Sequence, residues 1–112
     1  MGRPRRNFKS DCIYLVRNFC ANYEARFLPQ EAIKKAIVGL LCKYANQYGI
    51  EIFGFIFMRS YFEILLRGPE QTIHRFMHGF QGDLARTLNA LQGTHGSVFP
   101  QRYTDEIGRA HV

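Results

Sequence analysis

The stretch from Glu51 to Pro69, EIFGFIFMRSYFEILLRGP, constrains the fold of this chain more than any other. β-branched and aromatic residues fill both of its halves, and neither half reaches the length of a typical helix. We therefore predict two strands joined by a tight turn at Arg59 and Ser60. The predicted cross-strand partners are Met58 with Tyr61, Phe57 with Phe62, and Phe53 with Leu66.

Side chains alternate between the two faces of a strand, so this register divides the hairpin into two faces. One face is wholly apolar and is the predicted core side, with Phe53, Phe55, Phe57, Phe62, Ile64 and Leu66. The other face carries Gly54, Ile56, Met58, Tyr61, Glu63, Leu65 and Arg67. The phenol of Tyr61 and the carboxylate of Glu63 should therefore point the same way, out of the core.

Two amphipathic helices are predicted, one before and one after the hairpin along the chain. From Pro29 to Tyr48 the apolar residues recur with helical spacing, and Gly49 suits the position just after the last turn. A second helix should run from about Glu70 to Gln92 and end at a glycine. Gly79 and Gly82 lie inside it and predict close packing or a bend, because each costs about 1 kcal/mol relative to alanine.

Two more strands complete the predicted order of strand, helix, strand, strand, helix, strand. They span Cys12 to Cys20 and Val98 to Thr104, and Pro100 restricts the latter to a sheet edge or a strand start. Both helices should cover the phenylalanine-rich face. The fold class is therefore α+β, a ferredoxin-like split βαβ arrangement with a four-stranded antiparallel sheet and two helices on one face.

The charge of the chain favours a polyanionic partner. Its 112 residues carry 15 Lys and Arg against 9 Asp and Glu, which gives a formal charge of +6. Residues 1–11 form a predicted basic arm that contains Arg3, Arg5, Arg6 and Lys9. Nucleic acid is the commonest partner for such a balance, and solubility alone is the alternative explanation.

The cysteines and the hydropathy indicate the compartment. Cys12, Cys20 and Cys42 form no C-x-x-C pair, so they predict neither a disulfide framework nor a zinc site. No apolar run approaches the roughly 20 residues of a membrane span, and no signal-like segment follows the basic arm. We expect a soluble protein in the reducing cytoplasm.

Several segments resemble one family across almost the whole chain, from Gly2 to about Asp105. They are GRPRR, IYLVRN, RFL, EIFGFIFMRSYFEILLRGPE, FMHGFQGDLARTLN and VFPQRY, in that order. Together they resemble the single-tyrosine transposases of the HUH superfamily, the insertion-sequence and REP-associated group found in bacteria. The resemblance implies a protein of DNA transposition that binds single-stranded, hairpin-type DNA, and it implies a possible homodimer.

The resemblance also implies a metal site, which this sequence alters. The two histidines of the family's HUH motif bind a divalent metal, Mg²⁺ or Mn²⁺, that polarises the scissile phosphate. Their positions hold Tyr61 and Glu63 here. Glu63 could still contribute one oxygen ligand, whereas a neutral phenol is a poor one, so we expect at most weak metal binding and no cofactor.

The nucleophile that the resemblance implies is also missing. In the family it is a tyrosine on a helix beyond the last strand, and none of the six tyrosines of this chain has that context. We therefore expect residues 12–106 to form an incomplete transposase-like domain with no catalytic residue retained. Residues 107–112, IGRAHV, are identical to the translation of a common sequencing adapter in one reading frame, so we expect them to be a foreign tail.

Three hypotheses remain open at this point: an enzyme of single-strand DNA cleavage by descent, a DNA-binding module without chemistry, and a gene fragment with no function. For DNA contacts we predict the arginines in or beside strands as well as the arm, a set comprising Arg3, Arg5, Arg6, Lys9, Arg17, Arg59, Arg67 and Arg102. His74 and His78 have the i, i+4 spacing of metal ligands, but a solvated helix face explains them better. No third ligand is near them in sequence.

Overall fold

The computed structural model describes residues 8–69 and 71–107, which form one antiparallel sheet with two helices. The elements are β1 (Tyr14–Phe19), α1 (Glu31–Tyr48), β2 (Glu51–Phe57), β3 (Tyr61–Arg67), α2 (Thr72–Gln92) and β4 (Thr104–Ile107). The strands lie in the order β2-β3-β1-β4, and each neighbouring pair is antiparallel. The predicted α+β fold and its element order are confirmed.

Glycines end both helices, as the sequence predicts. Gly49 follows α1 with φ 67°, and Gly93 follows α2 with φ 64°. Both values lie in the left-handed region, which a residue without a Cβ enters at little cost. Each helix begins two residues later than predicted, at Glu31 and Thr72.

The core lies between one face of the sheet and the two helices. On β3 the alternation is strict, and Phe62, Ile64 and Leu66 are completely buried. The apolar stripes of the helices join the same core, through Ile33, Ile37 and Leu41 of α1 and Ile73, Phe76, Met77, Phe80, Leu84 and Leu88 of α2. The ring of Phe62 meets Phe80 edge-on with 6.0 Å between centroids. Both helices therefore pack against the predicted core face.

The predicted burial of the core face is wrong at two positions on β2, Phe53 and Phe55. Phe57 lies opposite Phe62 as predicted, but a bulge makes Ile52 the partner of Leu66 in place of Phe53. Phe53 and Phe55 are each 48% exposed. The reason is that β2 is the edge strand of the sheet, where helix cover is incomplete, and the bulge inserts Phe53 as an extra residue.

The last strand begins six residues later than predicted, at Thr104 in place of Val98. Pro100 has no N–H for a strand ladder, and the carbonyl of Val98 accepts a hydrogen bond from the N–H of Ala21 at 2.8 Å. Val98 and Tyr103 are nevertheless buried, so this segment packs as irregular chain. Ile107 lies opposite Tyr14 on β1, and the rest of the predicted tail, 108–112, lies outside the described residues.

A close contact joins the two helices at Gly79. A Cβ placed there would lie 2.5 Å from Cε1 of Tyr44, which confirms the predicted close packing. The hydroxyl of Tyr44 donates a hydrogen bond to Asp83, one turn further along α2, and the Nζ of Lys43 lies 3.4 Å from the same carboxylate. No such crowding surrounds Gly82, whose nearest neighbour is the side chain of Arg86 at 3.6 Å.

Neither α1 nor α2 combines the length and the apolar character needed to cross a membrane, and they are the two α-helices of the described chain.

Candidate nucleic-acid interface

An ion pair occupies the centre of the open sheet face, which is the face away from the helices. Arg17 on β1 lies directly opposite Glu63 on β3. Its Nε donates a hydrogen bond to Oε2 of Glu63 at 2.6 Å, and its terminal nitrogen contacts the same oxygen. The Arg17 side chain is 43% exposed and that of Glu63 is 21% exposed. The negative charge of Glu63 is therefore paired with the positive charge of Arg17 within the sheet.

Aromatic rings flank this ion pair on one side. Phe19 lies opposite Tyr61 in the β1–β3 ladder, with 5.4 Å between the ring centroids. Tyr23, in the short 3₁₀ turn that follows β1, meets the other side of Phe19 at 5.6 Å and is largely exposed. Tyr61 thus packs within an aromatic row, where such pairs stabilise a sheet surface.

A second ion pair lies at the other end of the hairpin. Both Nε and a terminal nitrogen of Arg67 donate to Oε1 of Glu51, at 3.1 and 2.9 Å. The guanidinium carbon also lies 5.4 Å from the centroid of the Phe53 ring. Arg67 therefore meets an acid and an aromatic ring of β2, and its charge is largely compensated.

A cavity with a cationic rim opens beside the turn of the hairpin. Its volume is about 270 Å³, and its lining comprises Phe27, Leu28, Pro29, Lys34, Ile37, Phe57, Met58 and Arg59. The lining thus contains two cations and no acid. Within the described part of the chain, neither Lys34 nor Arg59 forms an ion pair with an acid.

The two histidines of α2 lie on its exposed side, as the sequence analysis favours. His74 and His78 line a cavity of about 240 Å³ together with Tyr48, Arg75 and Gly79. Among residues 8–69 and 71–107, no group of three His, Cys, Asp or Glu side chains could hold a metal ion. The i, i+4 pair therefore has no third ligand in that part of the chain.

Cys20 is not an activated nucleophile. Burial raises the pKa of the Cys20 thiol to about 11, so this side chain stays protonated at neutral pH. Cys12 is half-buried and Cys42 is exposed, and neither is in a disulfide.

Comparison with solved structures identifies the fold. One similar structure is a REP-associated tyrosine transposase bound to a REP hairpin, with a TM-score of 0.67 and 12% identity over 97% of this chain. This chain has the fold of a tyrosine transposase. It spans 63% of that protein's chain. A protein of Deinococcus radiodurans R1 provisionally assigned as a transposase also has a TM-score of 0.67, at 20% identity, and 99% of this chain aligns with 88% of it. The sequence matches no protein-family model and no curated protein.

The open face of this tyrosine-transposase fold does not suit the divalent metal that the resemblance implies. Tyr61 and Glu63 do share this face, as predicted, because they are two residues apart on β3. The single carboxylate, however, is bound by the Arg17 guanidinium, which supplies the positive charge next to it. A cation placed at Glu63 would have to displace or repel that arginine, and Tyr61 offers only a neutral oxygen.

The predicted DNA-contacting arginines do not converge on one surface. Arg17 and Arg67 are each paired with an acid, whereas Arg59 is exposed at the hairpin turn. Arg102 is half-buried in the segment before β4, and Lys9 is exposed before β1. Arg3, Arg5 and Arg6 lie outside the described residues, so their predicted role stays a prediction.

Lys34 is the cation that the sequence analysis missed. It lies on the exposed side of α1, and 24 residues of sequence separate it from Arg59, so no local motif joins the two. One signal was present in the sequence: Lys34 closely follows the RFLP segment that precedes α1, and this segment brings Phe27 to the same cavity.

Proposed function

We propose that this chain binds DNA that contains a hairpin with unpaired nucleotides, and that it does so without cleaving it. The observation that carries the proposal is the match of almost the whole chain to a tyrosine transposase whose structure contains a REP hairpin. At 12% identity this match concerns the fold, so the ligand is inferred from the shared architecture together with the charge of the chain.

Electrostatics support a nucleic-acid ligand. The formal charge is +6, and four of the basic residues crowd the first nine positions. Lys34 and Arg59 add two cations that no described acid neutralises. Affinity from such contacts comes mainly from released counterions and should be modest and strongly dependent on salt.

We propose no cleavage because cleavage of a DNA strand has two requirements that this chain does not visibly meet. A metal or equivalent charge must polarise the phosphate, and a tyrosine must stand in line with it. Glu63 is engaged by Arg17, and Tyr61 packs on Phe19. The fold match to a tyrosine transposase favours the alternative of an active enzyme, and the residues at positions 61 and 63 weigh against it.

Fluorescence anisotropy with labelled DNA tests the binding. We expect a hairpin with a single-stranded flank to bind more tightly than a blunt duplex of the same length. About four phosphate contacts would give a slope of about −3 in a plot of log K against log salt. Equal affinity for both DNAs, or no binding at low salt, would contradict the proposal.

We also propose, from the family resemblance, that the protein works as a homodimer in the cytoplasm. The solution mass from light scattering, measured with and without hairpin DNA, tests the dimer. A mass of 13.0 kDa without DNA, together with one protein chain per hairpin when DNA is added, would refute it.

A further inference from the structure

The cavity beside the hairpin turn combines an apolar wall with two cations. Phe27 and Phe57 line it, and their rings meet edge-on with 5.2 Å between centroids. Met58 lies at the rim with 48% of its surface exposed. Lys34 from α1 and Arg59 from the turn add two positive charges to this apolar wall.

Backbone hydrogen bonds hold the walls of the cavity in place. The N–H of Phe27 donates to the carbonyl of Arg59 at 3.0 Å, which joins the loop before α1 to the turn. The N–H of Cys20 donates to the carbonyl of Ser60 at 2.8 Å, and the N–H of Met58 donates to the carbonyl of Tyr61 at 2.9 Å. The cavity is therefore formed before any ligand arrives, which lowers the entropic cost of binding.

The chemistry of the lining selects a flat apolar group that carries a negative charge. Aromatic and thioether surfaces accept a nucleobase of any sequence by stacking and contact, while cations at the rim accept its phosphate. The volume of about 270 Å³ lies just below the range of about 300–1,000 Å³ typical of small-molecule sites, which suits a single nucleotide. A base within a duplex is stacked on both faces and cannot enter such a cavity.

We propose that this cavity binds one unpaired nucleotide of the DNA, with its base against Met58 and the aromatic wall and its phosphate between Lys34 and Arg59. The inference rests on the proposed function and deepens it, because it states where an unpaired residue of the hairpin is held. It places this one contact apart from the ion-paired open sheet face.

The test compares two labelled hairpins in fluorescence anisotropy. One carries a single unpaired thymidine next to its stem, and the other carries an abasic nucleotide at that position. Wild-type protein should bind the thymidine hairpin about tenfold more tightly, since base stacking contributes that order of affinity. Met58→Ala should reduce this ratio to about threefold, and Lys34→Ala should weaken both hairpins about equally and flatten the salt slope by about 0.7–0.9.

Two matched variants serve as controls. Ile56→Ala removes another half-exposed apolar side chain of the hairpin, 52% exposed, that does not line the cavity. Lys35→Ala removes the exposed lysine next to Lys34, which also lies outside the lining. Both should leave the thymidine-to-abasic ratio unchanged, and Lys35→Ala should weaken binding less than Lys34→Ala.

The outcomes distinguish this inference from the proposed function. Wild-type protein that binds neither hairpin would overturn both. Binding without discrimination against the abasic hairpin would overturn the inference and leave hairpin binding intact. Discrimination that Met58→Ala does not reduce, or equal effects of Lys34→Ala and Lys35→Ala, would also overturn it, because the base or the phosphate would then be held elsewhere.

Discussion

Glu63 binds the guanidinium of Arg17 on the open sheet face. This contact affects how Glu63 can bind a metal ion and how Arg17 can bind a phosphate. One oxygen of the carboxylate is bound by the guanidinium, and the charge of the arginine is partly compensated before a phosphate approaches. A DNA phosphate that approaches Arg17 must compete with a fixed carboxylate already within hydrogen-bond distance. The Glu63 carboxylate thus competes with any incoming anion for the guanidinium of Arg17.

Removing that competitor should strengthen DNA binding. We expect Glu63→Gln to raise hairpin affinity about twofold, since a partly exposed ion pair is worth about 0.5 kcal/mol, and to steepen the salt slope by about 0.7. Anisotropy titrations at several salt concentrations measure both. Glu31→Gln, which makes the same charge change in the first turn of α1, is the control. An equal gain from both variants would mean that only net charge matters.

At the scale of elements, the packing of α1 against α2 depends on a glycine. The Tyr44 ring fills the space that a side chain at position 79 would need, and its hydroxyl is fixed by Asp83. The ring also stacks on Tyr48, with 6.5 Å between centroids. It therefore cannot move aside without losing contacts on both helices.

Two glycine substitutions on the same helix should have opposite effects. Gly79→Ala gains about 1 kcal/mol of helix propensity but introduces a clash that costs about 1–3 kcal/mol, so we expect a net loss of about 1 kcal/mol. Gly82→Ala meets no atom closer than 3.6 Å and should gain up to about 1 kcal/mol. Urea unfolding measures both free energies. A stabilised Gly79→Ala variant would show that the Tyr44 contact is readily remodelled.

The same helix pair should give an acid-sensitive contribution to stability. The hydrogen bond from Tyr44, followed by that from Arg86, lowers the pKa of Asp83 from 3.8 to about 2. A lowered carboxyl pKa stabilises the fold above pH 4, and this contribution is lost as the pH falls toward 2. We expect it to be about 1 kcal/mol, because the Asp83 side chain is 24% exposed and partly screened by solvent.

Asp83→Asn isolates this contribution. The variant should be less stable than the wild type at pH 7, and the difference should shrink as the pH falls from 4 to 2. Thermal unfolding across that range, with Glu31→Gln as a control for the loss of an exposed carboxylate, provides the measurement. A difference that does not change with pH would indicate that Asp83 acts through packing alone.

At the scale of the whole molecule, a binding fold and a catalytic site are separate properties. The chain has the fold of a tyrosine transposase, yet its open face carries an arginine–glutamate pair where the resemblance implies a metal. Two cations without a described acid partner, Lys34 and Arg59, lie elsewhere, beside the hairpin turn. The contacts proposed for DNA binding therefore differ from those that cleavage would need.

We expect no covalent protein–DNA adduct when this chain is incubated with hairpin DNA and Mn²⁺. Loss of either the metal site or the nucleophile costs several kcal/mol of barrier, and each ~1.4 kcal/mol is a factor of ten in rate. Denaturing gels with end-labelled DNA would detect the adduct. Tyr61→His combined with Glu63→His should also stay at background, since no tyrosine with the family's context is restored. A phosphotyrosine adduct at any of the six tyrosines would refute this expectation.

Local patterns in the sequence determined most of the fold. The period-two alternation of Tyr61–Arg67 and the helical stripes of α1 and α2 predict the buried face of each element, because an element must turn its apolar side to a common core. Terminal glycines predict the helix ends for a local reason as well, because glycine readily adopts the left-handed backbone conformation that ends a helix. The shared face of Tyr61 and Glu63 follows from the same alternation.

Tertiary structure alone decided which of these residues meet. Periodicity does not show that β2 lies at the sheet edge, so it could not predict the exposure of Phe53 and Phe55. The pairing of Arg17 with Glu63 spans 46 residues and depends on the register between β1 and β3, which no local pattern encodes. Lys34 and Arg59 share a cavity for the same reason: the charge of each is a property of the sequence, whereas their proximity arises only when the helix and the hairpin pack together.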